Sequence, residues 1–378
     1  MRRFNRMLTI TLLIFLAVFS LLPAFWPDRA FSEAENRMLQ QKPRLTWDNL
    51  ISGKFSLAAE KYLDDQFVFR DLWVSVKSAT ELVLQKKDNN GVYFGKDGYL
   101  LQKPAALNEE LLAENIACVN RFAESIPARV YFLPAPSSVQ ILHDKLPCFA
   151  EPRQTLEQLY LIREQLASNI HFIDTAAALD AHKEEYIYYK TDHHWTSRGA
   201  YYAYREAGRV MGFRPLELND FLIEQACDDF YGTLYAKSGH RFVQPDAIEL
   251  FEPKKKFSCR VEYVQEKRTA GSFYATEHLQ KKDKYAVFLD GNHPLIRIKA
   301  QNDTGRKLLV VKDSYANTLV PFLANHYEEI HMIDLRHYNA PLAPYIEQYG
   351  LSEILFLYNS LSFGEDPSLR KLGTWGES

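Results

Sequence analysis

The sequence predicts an α/β fold with a mainly parallel sheet, an N-terminal membrane helix and an antiparallel β insertion. Three observations support this prediction. Short apolar runs typical of buried strands alternate with segments of helical periodicity, as in a parallel sheet covered by helices. This alternation stops at about residues 221–300, where short strand-like runs and tight turns follow one another. Near the start of the chain, Arg2, Arg3 and Arg6 directly precede an uncharged run from Met7 to Phe25.

Composition sets the broad class of the protein. The chain has 378 residues, which fits two domains or one large α/β domain with insertions. Apolar residues make up 47% of the chain, enough for a substantial core, and the formal net charge of -3 gives no indication of nucleic-acid binding. Aromatic residues make up 13%, which is a weak compositional indication of sugar binding.

Residues 1–25 have the pattern of a membrane anchor. As a helix, the uncharged run would reach about 28 Å, close to the hydrocarbon thickness of a bilayer. The arginines before it should stay in the cytoplasm, which makes the chain a single-pass protein of the cell membrane with its C-terminal domain outside. The alternative is a cleaved signal peptide, with Ser20 or Ala24 as small residues for a peptidase, and a secreted product. A buried helix of a cytosolic domain would not explain the arginine cluster.

The segments after the anchor are interpreted in order. Residues 26–43 are polar and poorly periodic, which predicts a juxtamembrane linker, and residues 44–378 are expected to form one extracytoplasmic domain. Apolar residues recur at three and four spacing from Thr46 to Gln85 and predict two amphipathic helices. In Gly91–Gln102, strand-like runs flank Lys96-Asp97-Gly98, the pattern of a β-hairpin.

The alternating helices and strands form two blocks on either side of the insertion. The first block predicts a helix at Leu107–Phe122, a strand at Arg129–Pro134, a helix at Thr155–Ala167 and a strand at His171–Ile173. The second block predicts strands at Lys307–Val311, Glu329–Leu335 and Glu353–Tyr358, with helices at Ser314–Ala324 and Leu342–Gln348. Within the insertion we predict strands at Ala286–Phe288 and Leu295–Ile298, joined by a tight turn at Asp290-Gly291-Asn292.

Four cysteines are spread over the chain, at Cys118, Cys148, Cys227 and Cys259. They form no close CxxC pair, so neither a zinc site nor a thioredoxin motif is indicated. Outside the membrane one or two disulfides could form, in any of three full pairings, and free buried thiols are the alternative.

The densest group of chemically active side chains lies in Tyr188–Tyr201. Asp192 and His194 are two residues apart, so an extended backbone puts them on one face, where the carboxylate can orient the imidazole. His193 would point the other way, as a structural hydrogen-bonding residue or a residue at the rim of the site. Thr196 or Ser197 can cap a helix that runs to about Gly212. The alternative is a helix-capping loop with two packed imidazoles.

Ser314 is the candidate nucleophile. It follows the apolar strand predicted at Lys307–Val311, in Lys312-Asp-Ser-Tyr-Ala-Asn317, where a tight turn leads into a helix. A serine at such a turn is exposed at the carboxyl end of a parallel strand, and the helix N-terminus offers N–H groups to an oxyanion. Without a His–Asp partner it would be interpreted as a helix cap.

These motifs resemble those of the DHHW family, whose tetrapeptide is present as Asp192-His193-His194-Trp195, and which is similar to the SGNH-hydrolase-like proteins of alginate O-acetylation. The resemblance covers most of the chain beyond the membrane segment. It also includes Ser32–Arg37, Asp65-Gln66-Phe67, Gly91–Gly95, Thr191–Thr196 and Lys312-Asp-Ser314.

The resemblance implies a three-layer SGNH-like fold and a role for each site residue. Ser314 would be the nucleophile, His194 the base and Asp192 the orienting acid, in an extracytoplasmic O-acyl (acetyl) transferase or esterase acting on a cell-surface polysaccharide. No cofactor is implied. A membrane-bound O-acyltransferase is the partner expected to donate the acyl group.

Further candidates could stabilise the oxyanion or contact the substrate. They are Asn359, Asn317, Lys312, Trp195, His193 and Lys190. Asn359 lies where the SGNH pattern places an oxyanion residue, and a polar strand-end turn is its alternative. Lys312 departs from the family, which usually has Gly before Asp-Ser. Because Gly adopts positive φ at a lower energetic cost than Lys, we expect a different loop, a remodelled oxyanion hole or a cation placed near an anionic substrate.

Two rival hypotheses remain open at this stage. The first is a metal site built from Asp192, His193 or His194 and a distant histidine such as His240 or His293, which no HxH or HxxxH spacing supports. The second is a catalytically inactive glycan-binding or scaffold protein on the same fold.

Overall fold

The chain divides into two compact units. The computed structural model describes residues 2–148, 150, 153–255 and 257–374. The N-terminal unit runs to Lys86 and includes the segment Ala236–Phe242, and the larger unit comprises Lys87–Tyr235 and the chain from Val243 onward.

The N-terminal unit is mainly helical. Its elements are α1 (Arg2–Phe25), β1 (Phe31–Ser32), β2 (Arg37–Met38), α2 (Trp47–Ile51), α3 (Lys54–Asp65) and α4 (Arg70–Val83). The helical pattern predicted over residues 46–85 is therefore confirmed, divided among three helices instead of two. Within the described ranges, no helix combines the length and apolar character needed to cross a membrane, so the predicted membrane helix is not confirmed.

Residues 26–43, predicted as a linker, contain the β1–β2 hairpin, in which Phe31 pairs with Met38. Asp65 of α3 ties this hairpin down, because its carboxylate accepts hydrogen bonds from the Arg37 guanidinium at 2.9 Å and from the Gln40 backbone N–H at 2.8 Å. The hydrogen bond from Arg37 lowers the pKa of Asp65 to about 2. The segment is structured because its polar residues meet buried partners that the local sequence does not show.

The larger unit holds the remaining elements. Its strands are β3 (Asp88–Asn89), β4 (Val92–Phe94), β5 (Leu100–Gln102), β6 (Arg129–Ala135), β7 (Ile170–Phe172), β8 (Phe221–Phe230), β9 (Asp246–Pro253), β10 (Cys259–Tyr263), β11 (Arg268–Ala270), β12 (Leu295–Ala300), β13 (Lys307–Lys312), β14 (Glu329–Ile333) and β15 (Glu353–Asn359). Its helices are α5 (Glu109–Ser125), α6 (Ser138–Ile141), α7 (Arg153–Gln165), α8 (Ala176–Ala181), α9 (Ser197–Met211), α11 (Ala316–Leu323), α12 (Leu342–Tyr349), α13 (Ser360–Glu365) and α14 (Lys371–Thr374), and α10 (Thr233–Ser238) begins in this unit.

An eight-stranded mixed sheet, in the order β11-β10-β12-β14-β13-β15-β6-β7, forms the centre of the larger unit. The strands from β14 to β7 are parallel, and β12, β10 and β11 are antiparallel. The predicted α/β class and mainly parallel sheet are confirmed. Each helix and strand predicted in the two alternating blocks is present within a few residues of its predicted ends.

Helices cover both faces of the sheet. Along β13, Leu308 and Val310 pack into one apolar cluster with α9 and α11, and Leu309 and Val311 pack into a second with α5 and α12. This alternation buries the residues from Leu308 to Val311 on one side of the sheet or the other, which gives three layers.

The predicted β insertion is only partly a separate element. β8 and β9 form their own two-stranded ribbon, but β10, β11 and β12 extend the main sheet, because β12 pairs with β14. The prediction of a strand at Ala286–Phe288 is wrong. Residues Lys284–Val287 form a 3₁₀ turn, and of the three predicted residues only Phe288 makes a β-bridge, to Tyr274. All four cysteines are free thiols.

One edge of the sheet collects the chain segments that leave three neighbouring strands. Lys312 ends β13, Asn359 ends β15 and Ala135 ends β6, and these strands are parallel neighbours in that order. From β13 the chain continues through α11 to β14 on one side, then returns through α12 to β15 on the other. Such a reversal leaves a crevice at the carboxyl ends of the strands, where α/β proteins place their sites.

Candidate active site

Asp192 and His194 are brought together by a narrow loop, as their spacing predicts. Tyr188 and Trp195 form an antiparallel bridge that closes the loop. Nδ1 of His194 lies 2.5 Å from Oδ1 of Asp192, and the same oxygen accepts the backbone N–H of His194 at 3.0 Å. Both side chains are buried, so the carboxylate fixes the orientation of the imidazole.

Ser314 completes the arrangement from a distant part of the chain. It lies in the turn between β13 and α11, with its Oγ 2.7 Å from Nε2 of His194. The three residues predicted as a site therefore form one continuous hydrogen-bonded chain, from carboxylate to imidazole to hydroxyl. In such a chain the hydroxyl proton can pass to the ring nitrogen when the oxygen attacks an electrophile.

The loop after β8 holds the carboxylate of Asp192 from behind. Oδ2 of Asp192 accepts the backbone N–H of Thr233 at 2.8 Å and its hydroxyl at 2.9 Å. Gly232 lies so close that an added Cβ would be 2.3 Å from Cβ of Asp192. Burial by itself raises the pKa of Asp192, but the imidazoles of His193 and His194 outweigh it and hold the pKa well below its ordinary value. The carboxylate is therefore ionised.

The turn that carries Ser314 is fixed by its neighbour Asp313. The Asp313 carboxylate accepts the backbone N–H of Tyr315 at 3.0 Å and that of Asn359 at 2.8 Å, which ties the end of β13 to the end of β15. The backbone N–H of Ser314 has no hydrogen-bond acceptor in the part of the chain that the structure describes. It is therefore available to an oxyanion formed next to the Ser314 hydroxyl.

Lys312 does not present its charge to a substrate. It is the last residue of β13 and pairs with Leu357, so its backbone is extended and a glycine is not required there. Its ammonium is fully buried and donates to Oδ1 of Asn292 at 2.7 Å and to Oδ1 of Asn317 at 2.8 Å. Burial lowers the pKa of Lys312 to about 8. The idea of a cation facing an anionic substrate does not fit this placement.

The side chains of both asparagine candidates form hydrogen bonds within the protein. The amide of Asn317 donates to the carbonyl of Gly291 at 3.1 Å. The amide of Asn359 donates to the carbonyl of Ala135 at 3.1 Å, and its oxygen accepts the backbone N–H of Leu361 as the cap of α13. Asn359 lies at the same sheet edge as Ser314, and its predicted oxyanion role stays a prediction.

The other candidates lie around the loop. Trp195 is buried and donates its indole N–H to the carbonyl of Tyr315 at 3.1 Å, which joins the two halves of the site. Nδ1 of His193 lies 2.7 Å from the Thr233 hydroxyl and 3.6 Å from Oδ1 of Asp192, and its ring centroid is 3.8 Å from that of His194. His193 therefore does not point away from these residues as its spacing suggested, although its side chain is partly exposed. Lys190 donates to the carbonyl of Asp97 at 3.0 Å, away from the Asp192–Ser314 chain.

Three contact residues were not predicted from the sequence. Thr233 binds Asp192 from 41 residues further along the chain, Gly232 just before it packs against the same carboxylate, and the ring of Tyr285 stacks on the imidazole of His194. The turn-like Tyr231-Gly232-Thr233 is a local signal for the first two, but nothing local connects it with Asp192.

Ligand atoms of Asp192, His193 and His194 lie within 4.8 Å of one another, as do those of Glu277, His278 and Asp290. In the first group, His194 uses one ring nitrogen on Asp192 and the other on Ser314. His293 does not complete a site with them, because its ring nitrogens lie 2.9 Å from Glu266 and 3.0 Å from the carbonyl of Asp290. His240 belongs to the N-terminal unit.

The family model described as "DHHW protein" matches residues 97–333. A curated relative, the probable alginate O-acetylase AlgJ of Pseudomonas syringae pv. tomato, is 26% identical over 215 residues, which cover 54% of this chain and 52% of that protein. The chain thus spans about half the length of the curated relative it matches.

Two solved structures show the same fold. A DHHW family protein from Eubacterium siraeum is 25% identical with a TM-score of 0.66, over 76% of this chain and 96% of that chain. Bacillus cereus PatB1, in a structure with a sulfonyl adduct, is 22% identical with a TM-score of 0.63, over 73% of this chain and 96% of that chain.

Proposed function

This chain belongs to the DHHW protein family, and on that premise we propose that it transfers an acetyl group through Ser314 to a hydroxyl of a cell-surface polysaccharide. One observation supports the proposal most strongly: Oγ of Ser314 lies 2.7 Å from Nε2 of His194, whose other ring nitrogen lies 2.5 Å from Asp192. This is the geometry that activates a serine hydroxyl.

In the first half-reaction, His194 takes the proton of the Ser314 hydroxyl as Oγ forms a bond to the acyl carbon of a donor ester. The ionised carboxylate of Asp192 stabilises the imidazolium that results. The negative charge on the former carbonyl oxygen is met by the backbone N–H of Ser314, with the amide of Asn359 as a second donor. His194 then gives its proton to the leaving oxygen as the bond between that oxygen and the acyl carbon breaks, which leaves an acyl-serine.

The second half-reaction repeats these steps with an acceptor hydroxyl. His194 removes the proton of the acceptor as its oxygen attacks the acyl-serine, and returns the proton to Oγ of Ser314 as that bond breaks. When water is the acceptor, the same steps give an esterase. The name of the curated relative, a probable alginate O-acetylase, supports a polysaccharide hydroxyl as the acceptor of this chain.

The location and the acyl donor are part of the proposal. A polysaccharide acceptor at the cell surface requires the Ser314 site to face the outside of the cell. An activated acetyl group must then reach that side, and a membrane-bound O-acyltransferase is the class of partner that could deliver it.

The full chain, its Ser314→Ala variant and a Ser125→Ala control test the proposal. Ser125 is an exposed serine at the end of α5, and among the described residues its hydroxyl donates to the local carbonyl of Phe122 alone. We expect wild type and the control to hydrolyse p-nitrophenyl acetate at equal rates, and Ser314→Ala to lose at least about 10³-fold in kcat, as expected for a lost nucleophile. Equal turnover in all three would overturn the proposal.

A further inference from the structure

We propose that Tyr285 is a positioning residue for this site, and that its ring stabilises the positive charge that His194 acquires when it takes the proton of Ser314. The inference rests on the proposed function, because it requires His194 to act as a base. It adds a residue that neither the sequence motif nor the family match assigns.

The side chain of Tyr285 touches both halves of the Ser–His pair. Its ring lies parallel to the imidazole of His194, with 3.7 Å between the ring centroids and 9° between the planes. Its hydroxyl donates to the carbonyl oxygen of Ser314 at 3.1 Å and lies 2.6 Å from the hydroxyl of Thr318 in α11. One residue therefore fixes the plane of the base and the turn that carries the nucleophile.

The segment around Tyr285 is held in place. Tyr285 is 6% exposed and lies in the 3₁₀ turn Lys284–Val287. A few residues later, Oδ1 of Asn292 accepts a hydrogen bond from the buried ammonium of Lys312 at 2.7 Å. Asn317, on α11, binds the same ammonium and the carbonyl of Gly291. The stack is thus built into the fold, and Lys312 contributes by anchoring the segment that presents the ring.

The stack acts differently on the two forms of His194. When the Ser314 proton moves to Nε2, the imidazole becomes a cation directly against the electron-rich face of the phenol ring, which attracts cations. The neutral imidazole gains less from the same contact. An interaction that is stronger in the charged state lowers the barrier for the proton transfer, because that charge is present in the transition state.

Several other titratable groups lie near the stacked rings of His194 and Tyr285. Those near His194 or Tyr285 are Asp192, His193, Tyr189, Tyr315, Asp283 and Asp313. Asp192 meets the edge of the imidazole, and the ring of Tyr315 lies 5.1 Å away and tilted by 49°, so Tyr285 alone among them stacks parallel to it. Burial raises the pKa of Tyr285 well above its ordinary value, so the phenol stays neutral throughout an ordinary assay range.

Two substitutions distinguish the effect of the Tyr285 ring from the effect of its hydroxyl. Tyr285→Phe keeps the ring, so we expect kcat/KM for p-nitrophenyl acetate to fall by only a few-fold, with the acid limb of its pH profile unmoved. Tyr285→Leu removes the ring, so we expect a fall of about tenfold or more and an acid limb shifted to lower pH by roughly half a unit or more. The shift is to lower pH because a less stabilised imidazolium releases its proton more readily.

Tyr274→Phe is the matched control. Tyr274 is a partly buried tyrosine whose hydroxyl donates to the carbonyl of Phe251 at 2.8 Å, and no contact joins it to the Asp192–Ser314 chain. Loss of the Tyr274 hydroxyl should leave the pH profile of kcat/KM unchanged. If Tyr285→Leu does not fold, phenylalanines with one, two or three ring fluorines at position 285 retain the shape of the ring and withdraw electron density from its face. The rate should then fall with each added fluorine.

The outcomes distinguish the two proposals. A folded Tyr285→Leu variant with an unmoved acid limb, or a fluorine series with constant rate, would overturn the role of Tyr285 and leave Ser314 as the nucleophile. A wild-type chain with no turnover beyond that of Ser314→Ala would overturn both proposals.

Discussion

The hydroxyl of Ser314 lies 2.7 Å from Nε2 of His194 although the two residues are 120 positions apart in the chain. The contact forms because Ser314 leaves β13 at the same sheet edge against which the Asp192–His194 loop packs, with Trp195 bonded to Tyr315 across the junction. A serine hydroxyl, an imidazole and a buried carboxylate are thus hydrogen-bonded in one row, and the function must use this arrangement. Acyl transfer explains all three.

Replacing Asp192 by Asn should preserve the shape of the site and remove its charge. Despite burial, the imidazoles of His193 and His194 hold the pKa of Asp192 well below its ordinary value, which favours the charged carboxylate that the variant lacks. An amide cannot stabilise the imidazolium and favours the wrong tautomer of His194. We expect kcat for p-nitrophenyl acetate to fall by about 10³- to 10⁴-fold. A loss of less than tenfold in a folded variant would show that Asp192 is structural.

Gly232→Ala should disable the site while Ser314, His194 and Asp192 themselves stay unsubstituted. The new methyl would lie 2.3 Å from Cβ and 2.4 Å from Oδ2 of Asp192, so the carboxylate must move. Misplacement by about 1 Å can reduce activity by about a hundredfold, and we expect a loss of that order in kcat/KM.

Gly271→Ala is the matched control, because an added Cβ there meets no atom within 4 Å. Its activity should equal that of wild type. Full activity in Gly232→Ala would mean that the position of Asp192 behind His194 does not matter for turnover.

Lys312 should make the free energy of unfolding increase as the pH rises above about 8. Its pKa is lowered to about 8 by burial, whereas the unfolded chain has the ordinary lysine value near 10.5. Between these values the unfolded state binds a proton that the folded state has released, so the free energy of unfolding should rise with pH in that window. Below pH 8 both states are protonated and this contribution is constant.

Urea unfolding of wild type and Lys312→Met at pH 7.5, 8.5 and 9.5 measures the effect. The difference in unfolding free energy should change in favour of wild type by up to about 1.4 kcal/mol per pH unit above pH 8. Parallel dependence on pH in the two proteins would show that Lys312 keeps an ordinary pKa in the fold.

Much of this site could be predicted from the sequence, for physical reasons. The two-residue spacing of Asp192 and His194 puts both side chains on one face of a short bridged loop, and the apolar run before Ser314 identifies a buried strand that must end in a turn. Both are local properties. The alternation of strand-like and helical segments likewise predicted the parallel strands of the main sheet and the helices between them, since β13 and β15 are continuous apolar runs.

The rest depends on contacts between distant segments. Nothing near Tyr285 indicates that its ring will lie on His194, and the neighbouring residues Ala286–Phe288 suggested a strand. Lys312 was expected to alter the loop or to place a cation near an anionic substrate, but Asn292 and Asn317 provide buried acceptors for its ammonium. The ordered hairpin within residues 26–43 depends on Asp65, which sequence periodicity alone does not connect with Arg37.

The central claim is that Ser314 carries the acyl group, and intact mass spectrometry tests it most directly. The full chain is exposed briefly to p-nitrophenyl acetate and quenched in acid, beside Ser314→Ala and Ser125→Ala. We predict one acetyl adduct, about 42 Da, on wild type and on Ser125→Ala, mapped by peptide fragmentation to Ser314, with none on Ser314→Ala. An adduct that persists in Ser314→Ala, or a folded wild-type protein that never acquires one, would contradict the claim.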